Sequence, residues 1–257
     1  MAVVQKGARV SLAQRCHWLR ASLRDRGHLD QLLPPGALGS FGVRPGTVAS
    51  NHAYSTDERN ATKSTERFPM SKEEDLPNDI AELMKREEAK RGFLPNVLKV
   101  MSHRPAELRA FLAYFSAVVN KETGNLSMAD KELIIVATSV ANKVPYCVIA
   151  HSALHRMYSK RPVLADQIMV NWKMADLSDR ELAMLEFALA VCRADTITKE
   201  HFQKLEAHGF DREDAWDIGA ISAFFAMANR IAQFTDMQPN PEYYTMGRTL
   251  REKEKTK

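Results

Sequence analysis

A chain of 257 residues that is 45% hydrophobic and 26% charged can bury a sizeable core, in one large domain or two small ones. Its longest nearly uninterrupted apolar run, IGAISAFFAMA at 218–228, falls far short of the ~20 residues that span a bilayer, which argues against a transmembrane helix. The net charge of +4 resides in residues 1–56, which carry +5, while the remainder carries −1, so the basic balance predicts no nucleic-acid face on the body of the chain.

Residues 1–55 read as a mitochondrial transit segment. No acid precedes Asp25, and ARVSLAQRCHWLRASLR spaces arginines against Val, Leu and Trp as a basic amphipathic helix does. A Pro/Gly/Ser-rich tract follows, and NHAYST resembles a processing site just after Tyr54, with His52 where an arginine is usual. The location this implies is the mitochondrial matrix, and otherwise the cytoplasm. Residues 56–75 are polar and read as a flexible linker.

Helical signals then follow one another, with almost no strand pattern. LPNDIAELMKREEAKRG closes on Gly92, FLPNVLKVMSH has Pro95 near its first turn, and RPAELRAFLAYFSAVVN starts on Pro105. The last carries an apolar stripe at Leu108, Leu112, Phe115 and Val119. Ser127 with Asp130 forms a capping box for the next helix, and Val144-Pro145-Tyr146 starts its successor. RPVLADQIMVNWKM is expected to start on Pro162. Ser178 with Glu181, Thr198, and Asp211 with Asp214 open the three that follow. Short loops between amphipathic helices predict an all-α, antiparallel helical bundle over residues 76–250, ending in a polar tail at 251–257.

Three cysteines do not make a disulfide framework. Cys16 lies in the basic segment, and Cys192 falls on the stripe Leu182, Leu185, Leu189, Cys192, as a small buried hydrophobe does. Cys147 has polar company. It sits in the first turn of its helix, where unpaired N–H groups and the macrodipole favour an anion and lower a thiol pKa. His151, four residues on, shares its face at ~6 Å, and Glu132 on the preceding helix supplies a carboxylate. Thiol, imidazole and carboxylate together can make a reactive cysteine. The plainer reading is a buried cysteine with a histidine bonded to a backbone carbonyl.

Counted from a turn near Val144, Glu132 lies roughly 7 Å deeper than His151 in an ideal antiparallel pair, at ~1.5 Å per residue. Contact between them is expected to need crossed helices or a bridging water, with His155 more nearly opposite Glu132. Tyr146 and His155 are auxiliary candidates. Cys147 and His155 are ~12 Å apart along the helix, too far to share one ion, so neither a metal nor a cofactor is expected.

The stretches LPNVLKVMSHRP, KELIIVATSVAN, YCVIAHSALHR, MANRIAQF and NPEYYTMGR, with the spacing E-x14-C-x3-H, resemble the carboxymuconolactone decarboxylase and alkylhydroperoxidase D-like family, particularly its peroxidase-related branch. They span roughly residues 76 to 248, in family order. The resemblance implies a helical homo-oligomer, a trimer or hexamer, in which Glu132 works through His151, often via water, to activate Cys147. It departs from the peroxidase pattern at Val144, where those members typically carry the first cysteine of a Cys-x-x-Cys pair. A sulfenic acid at Cys147 then needs an external thiol for recycling. The expected activity is reduction of a small hydroperoxide by one activated cysteine. The alternatives are a lyase acting on a small organic acid through Glu132 and His151, and a non-catalytic oligomeric scaffold built on the apolar helix around Phe224, Phe225 and Met227.

Overall fold

A computed structural model describes residues 67–248 apart from Met70 and Thr123. The expected transit segment and the polar tail at 251–257 lie outside the described residues, as does most of the expected linker. The described part of that linker makes contacts. A 3-10 turn spans Glu73–Asp75, and Phe68 packs against His103 and Phe234, with ring centroids 5.9 and 5.7 Å away.

The described residues contain helices and no strand. In chain order they are α1 (Asn78–Arg91), α2 (Asn96–Met101), α3 (Pro105–Val118), α4 (Met128–Ala141), α5 (Pro145–Ser159), α6 (Leu164–Asn171), α7 (Asp179–Cys192), α8 (Lys199–Ala207), α9 (Arg212–Phe234) and α10 (Glu242–Thr245). The bundle is the one the sequence pattern predicts. One start differs: α6 begins at Leu164, with Pro162 in the turn before it.

The centre of the bundle is α4. Its residues 130–139 are all buried, and it packs against α5, α6, α7 and α9. A helix that is apolar on most of its circumference has to be surrounded, and IIVATSVA is such a sequence. Its start is the Ser127/Asp130 capping box, in which each side chain bonds the other's backbone N–H. Its end is a Schellman turn: Val144 N–H donates to the Ser139 carbonyl at 3.1 Å and Lys143 N–H to the Val140 carbonyl at 3.0 Å. Lys143 takes the left-handed conformation at φ 56°, which reverses the chain in three residues. Pro145 then opens α5 without sacrificing a backbone donor.

Candidate active site

The reversal sets α5 antiparallel against α4 and brings Glu132 directly onto His151, with Oε2 2.7 Å from Nδ1. No bridging water is needed, and His151, not His155, is the partner. The expected offset was too large because the turn residues 142–144 belong to neither helix. Measured from the helix ends, Glu132 is nine residues in and His151 six, a difference of roughly 4.5 Å that the two side chains span. Glu132 is buried at 2% exposure, and a carboxylate held there needs this hydrogen bond. The His151 ring also meets the Phe225 ring edge to face, 4.8 Å between centroids. Accepting from Nδ1–H, Glu132 leaves the neutral imidazole with Nε2 as its basic nitrogen.

Cys147 departs from expectation. It is 5% exposed and packs in an apolar cluster with Val100, Val144, Tyr146, Ala232 and Met237. Burial pushes its thiol up to about 12, where the helix start alone predicts a lowered value. Magnitudes explain the outcome. A helix N-terminus contributes about 0.3–1 kcal/mol toward an anion, whereas three pKa units correspond to about 4 kcal/mol. Desolvation wins, and the resting sulfur is a thiol. The side chain acting in the opposite direction is Asn229, whose hydrogen bonding favours the thiolate.

Both auxiliary candidates are buried. His155 is 1% exposed, and its Nδ1 has no hydrogen-bond partner among the described residues. Burial pushes its pKa down to about 4, with Arg161 and Arg156 acting the same way and Glu181 and Asp130 against them. The Tyr146 hydroxyl accepts from Val97 N–H at 3.2 Å, fastening α2 to α5, and burial raises its pKa well above the ordinary tyrosine value. Cys192 is buried, as its stripe predicts, and its sulfur accepts from Asn142 Nδ2 at 3.3 Å. Among the described residues no three His, Cys, Asp or Glu side chains are grouped to hold a metal ion.

Sequence reasoning passed over Asn229, Asn142 and Tyr243. Asn229 lies inside MANRIAQF on the buried face of α9, four residues after Phe225. An amide in the middle of such a stripe was the available signal. Tyr243 stacks edge-on against Phe93 at 5.1 Å and accepts from Arg91 Nη1 at 3.3 Å. Burial raises its pKa, and Glu132 is among the carboxylates that act the same way.

The described residues form an all-helical protein in which a helical hairpin carries a carboxylate–imidazole pair, with a buried cysteine one turn before the imidazole. The carboxymuconolactone decarboxylase family model matches residues 105–169. The chain is 46% identical to an uncharacterized peroxidase-related protein with an alkylhydroperoxidase AhpD core from Ralstonia eutropha, covering 71% of this chain and 96% of that one at a TM-score of 0.69. An uncharacterized peroxidase-related protein from Silicibacter is 34% identical over 74% of this chain and 98% of that one, at 0.68. The debrominase Bmp8, solved with 2,3,4-tribromopyrrole, is 25% identical over 65% of this chain and 88% of that one, at 0.52. No curated protein matches. The chain belongs to the carboxymuconolactone decarboxylase/alkylhydroperoxidase D-like family, with peroxidase-related proteins among its relatives.

Proposed function

We propose that this chain reduces small hydroperoxides with Cys147, using His151 and Glu132 as its proton-handling pair. The observation carrying this reading is the 2.7 Å contact between Glu132 and His151, one helical turn from the sulfur. Because the resting sulfur is a thiol, deprotonation belongs to the reaction and does not precede it. His151 Nε2 takes the thiol proton, and Glu132 supports the imidazolium that forms. The sulfur attacks the terminal peroxide oxygen, the O–O bond breaks, and the leaving alkoxide takes the proton from His151. Sulfur is oxidised to sulfenic acid and the hydroperoxide is reduced to an alcohol. One external thiol condenses with the sulfenic acid, releasing water, and a second reduces the mixed disulfide.

In rapid-mixing measurements with reduced protein, Cys147→Ser abolishes peroxide consumption; unchanged turnover in that variant refutes the reading. One observation favours a second reading. A thiol raised to about 12 suits a lyase in which Glu132 and His151 alone perform acid–base chemistry on a small organic acid. There Cys147→Ser is mild and His151→Ala is severe, the reverse of the first ranking.

We further propose that the chain works as a homo-oligomer, a trimer or hexamer. The outer face of α9 supports this: Trp216, Ala223, Met227 and Phe234 are exposed at helical spacing, beside exposed Tyr114 of α3. The basic character of residues 1–55 supports a mitochondrial matrix location.

A further inference from the structure

A thiol at Cys147 that is 5% exposed has to be reached before it can react, and the apolar cluster around it is drawn from separate parts of the chain. Val97 and Val100 come from α2, while Ala232 and Met237 come from the end of α9 and the turn after it. Among the helices, α2 packs principally on α3, and its Leu98 and Met101 are buried with Ile80 and Leu108. The boundary between α2 and the end of α9 is therefore a seam closed mainly by side chains.

Ties cross this seam at both ends of α2. At its start, Asn96 N–H donates to Asn240 Oδ1 and Asn96 Nδ2 to the Gln238 carbonyl, both at 2.8 Å. Beyond its end, the Phe68 ring stacks on His103 at 5.9 Å and meets Phe234 edge to face at 5.7 Å. Arg67 reinforces the α9 side, donating through Nη1 to the Phe234 carbonyl at 3.3 Å, with Nη2 3.8 Å from Asp236 Oδ2. Both sides of this second tie lead directly to residues of the sulfur's cluster. His103 Nδ1 donates to the Val100 carbonyl at 2.8 Å, and Asp236 immediately precedes Met237.

We propose that Arg67 and Phe68 form a clasp over the seam, and that Phe68 governs how readily a small molecule reaches Cys147. The consequence for hydroperoxide reduction rests on Cys147 being the reacting thiol; the access itself does not. The two ties differ in strength. Asn96 bonds the buried Asn240, whereas Phe68 is 39% exposed and the Arg67–Asp236 pair faces solvent, where an ion pair holds little. Each aromatic contact favours the closed arrangement by roughly two- to tenfold. Anchoring the chain ahead of α1 calls for one such partner; contact with both sides of the seam is what a closure requires.

The test uses full-length reduced protein alkylated with iodoacetamide at one pH, with the peptides carrying Cys147 and Cys192 quantified separately against time. Phe68→Ala loses both ring contacts and is expected to label Cys147 about tenfold faster than wild type. Cys192, buried at the end of α7, reports general loosening and is expected to stay within about twofold. Phe68→Trp keeps an aromatic ring over both partners, and its Cys147 labelling is expected to stay within about twofold of wild type. Cys147 labelling in Phe68→Ala equal to wild type overturns the clasp, and so does a parallel rise at both cysteines. Peroxide consumption that persists in Cys147→Ser overturns Cys147 as the reacting thiol and leaves the clasp to be decided by the labelling rates.

Discussion

In the proposed mechanism Glu132 and His151 handle the proton, and their separate contributions are measurable. In Glu132→Gln the negative charge opposite the imidazolium is lost, and an amide that can donate to Nδ1 as well as accept from it no longer enforces the Nδ1–H tautomer. The expected outcome is a kcat/KM for peroxide reduced about a hundredfold, within the range of positioned acid–base catalysis, with the fold retained by circular dichroism. His155, one turn further on, makes a different prediction. Its folded pKa is about 4 against an unfolded value of 6.5, so between those pH values the unfolded chain binds a proton that the folded chain refuses. Its stabilising effect is complete above about pH 6.5 and is lost as pH falls toward 4, by up to roughly 3 kcal/mol. Urea midpoints at pH 7 and pH 4.5 should therefore converge in His155→Leu relative to wild type. An equal drop in both proteins would show that other groups carry the acid sensitivity.

At the scale of elements, the site depends on how helices stop. Three Schellman ends place a non-glycine residue in the left-handed region: Lys143 after α4, Ala194 after α7 and Asp236 after α9. Alanine there bears a steric penalty of roughly 1–2 kcal/mol that glycine avoids, partly offset by the roughly 0.5–1 kcal/mol of extra backbone entropy glycine loses on folding. Ala194→Gly should consequently raise the thermal midpoint slightly, and scanning calorimetry would detect it; a lowered midpoint refutes the account. The end of the described chain is held otherwise. Arg156 on α5 is buried and donates to the carbonyls of Met246 and Tyr243, both at 2.9 Å. Gly247 crosses beside it at φ 75°, where an added Cβ would stand 3.0 Å from Arg156 Cβ. Gly247→Ala is expected to loosen α10 from α5, read as faster amide exchange at Tyr243, a residue that also faces the Arg91 guanidinium.

For the whole molecule, the outer face of α9 is the surface on which the assembly proposal rests. Trp216 is 74% exposed and Phe234 55%, on a helix whose opposite face is buried in the core. Introducing charge there, as in Trp216→Glu combined with Met227→Glu, should shift the sedimenting species toward monomer without unfolding the bundle. A wild-type chain that already sediments as a monomer would remove the assembly proposal.

Much of this molecule was legible in the residues themselves. Capping boxes at Ser127, Ser178 and Asp211 and prolines at helix starts are local devices, and local devices are written in adjacent residues. Placing Cys147, His151 and Glu132 in one hairpin required only the helical period and one turn. What the linear order could not settle was the electrostatic state of the sulfur. Val100 comes from α2, Ala232 from α9 and Met237 from the segment after it, and together they desolvate Cys147 more strongly than its own helix start can offset. The donor that acts against this, Asn229, lies 82 residues away along the chain and reaches the site only because α9 packs against α4 and α5. Helix positions and capping follow from short-range rules, whereas a pKa is set by everything that displaces water around a group, and only tertiary packing decides that.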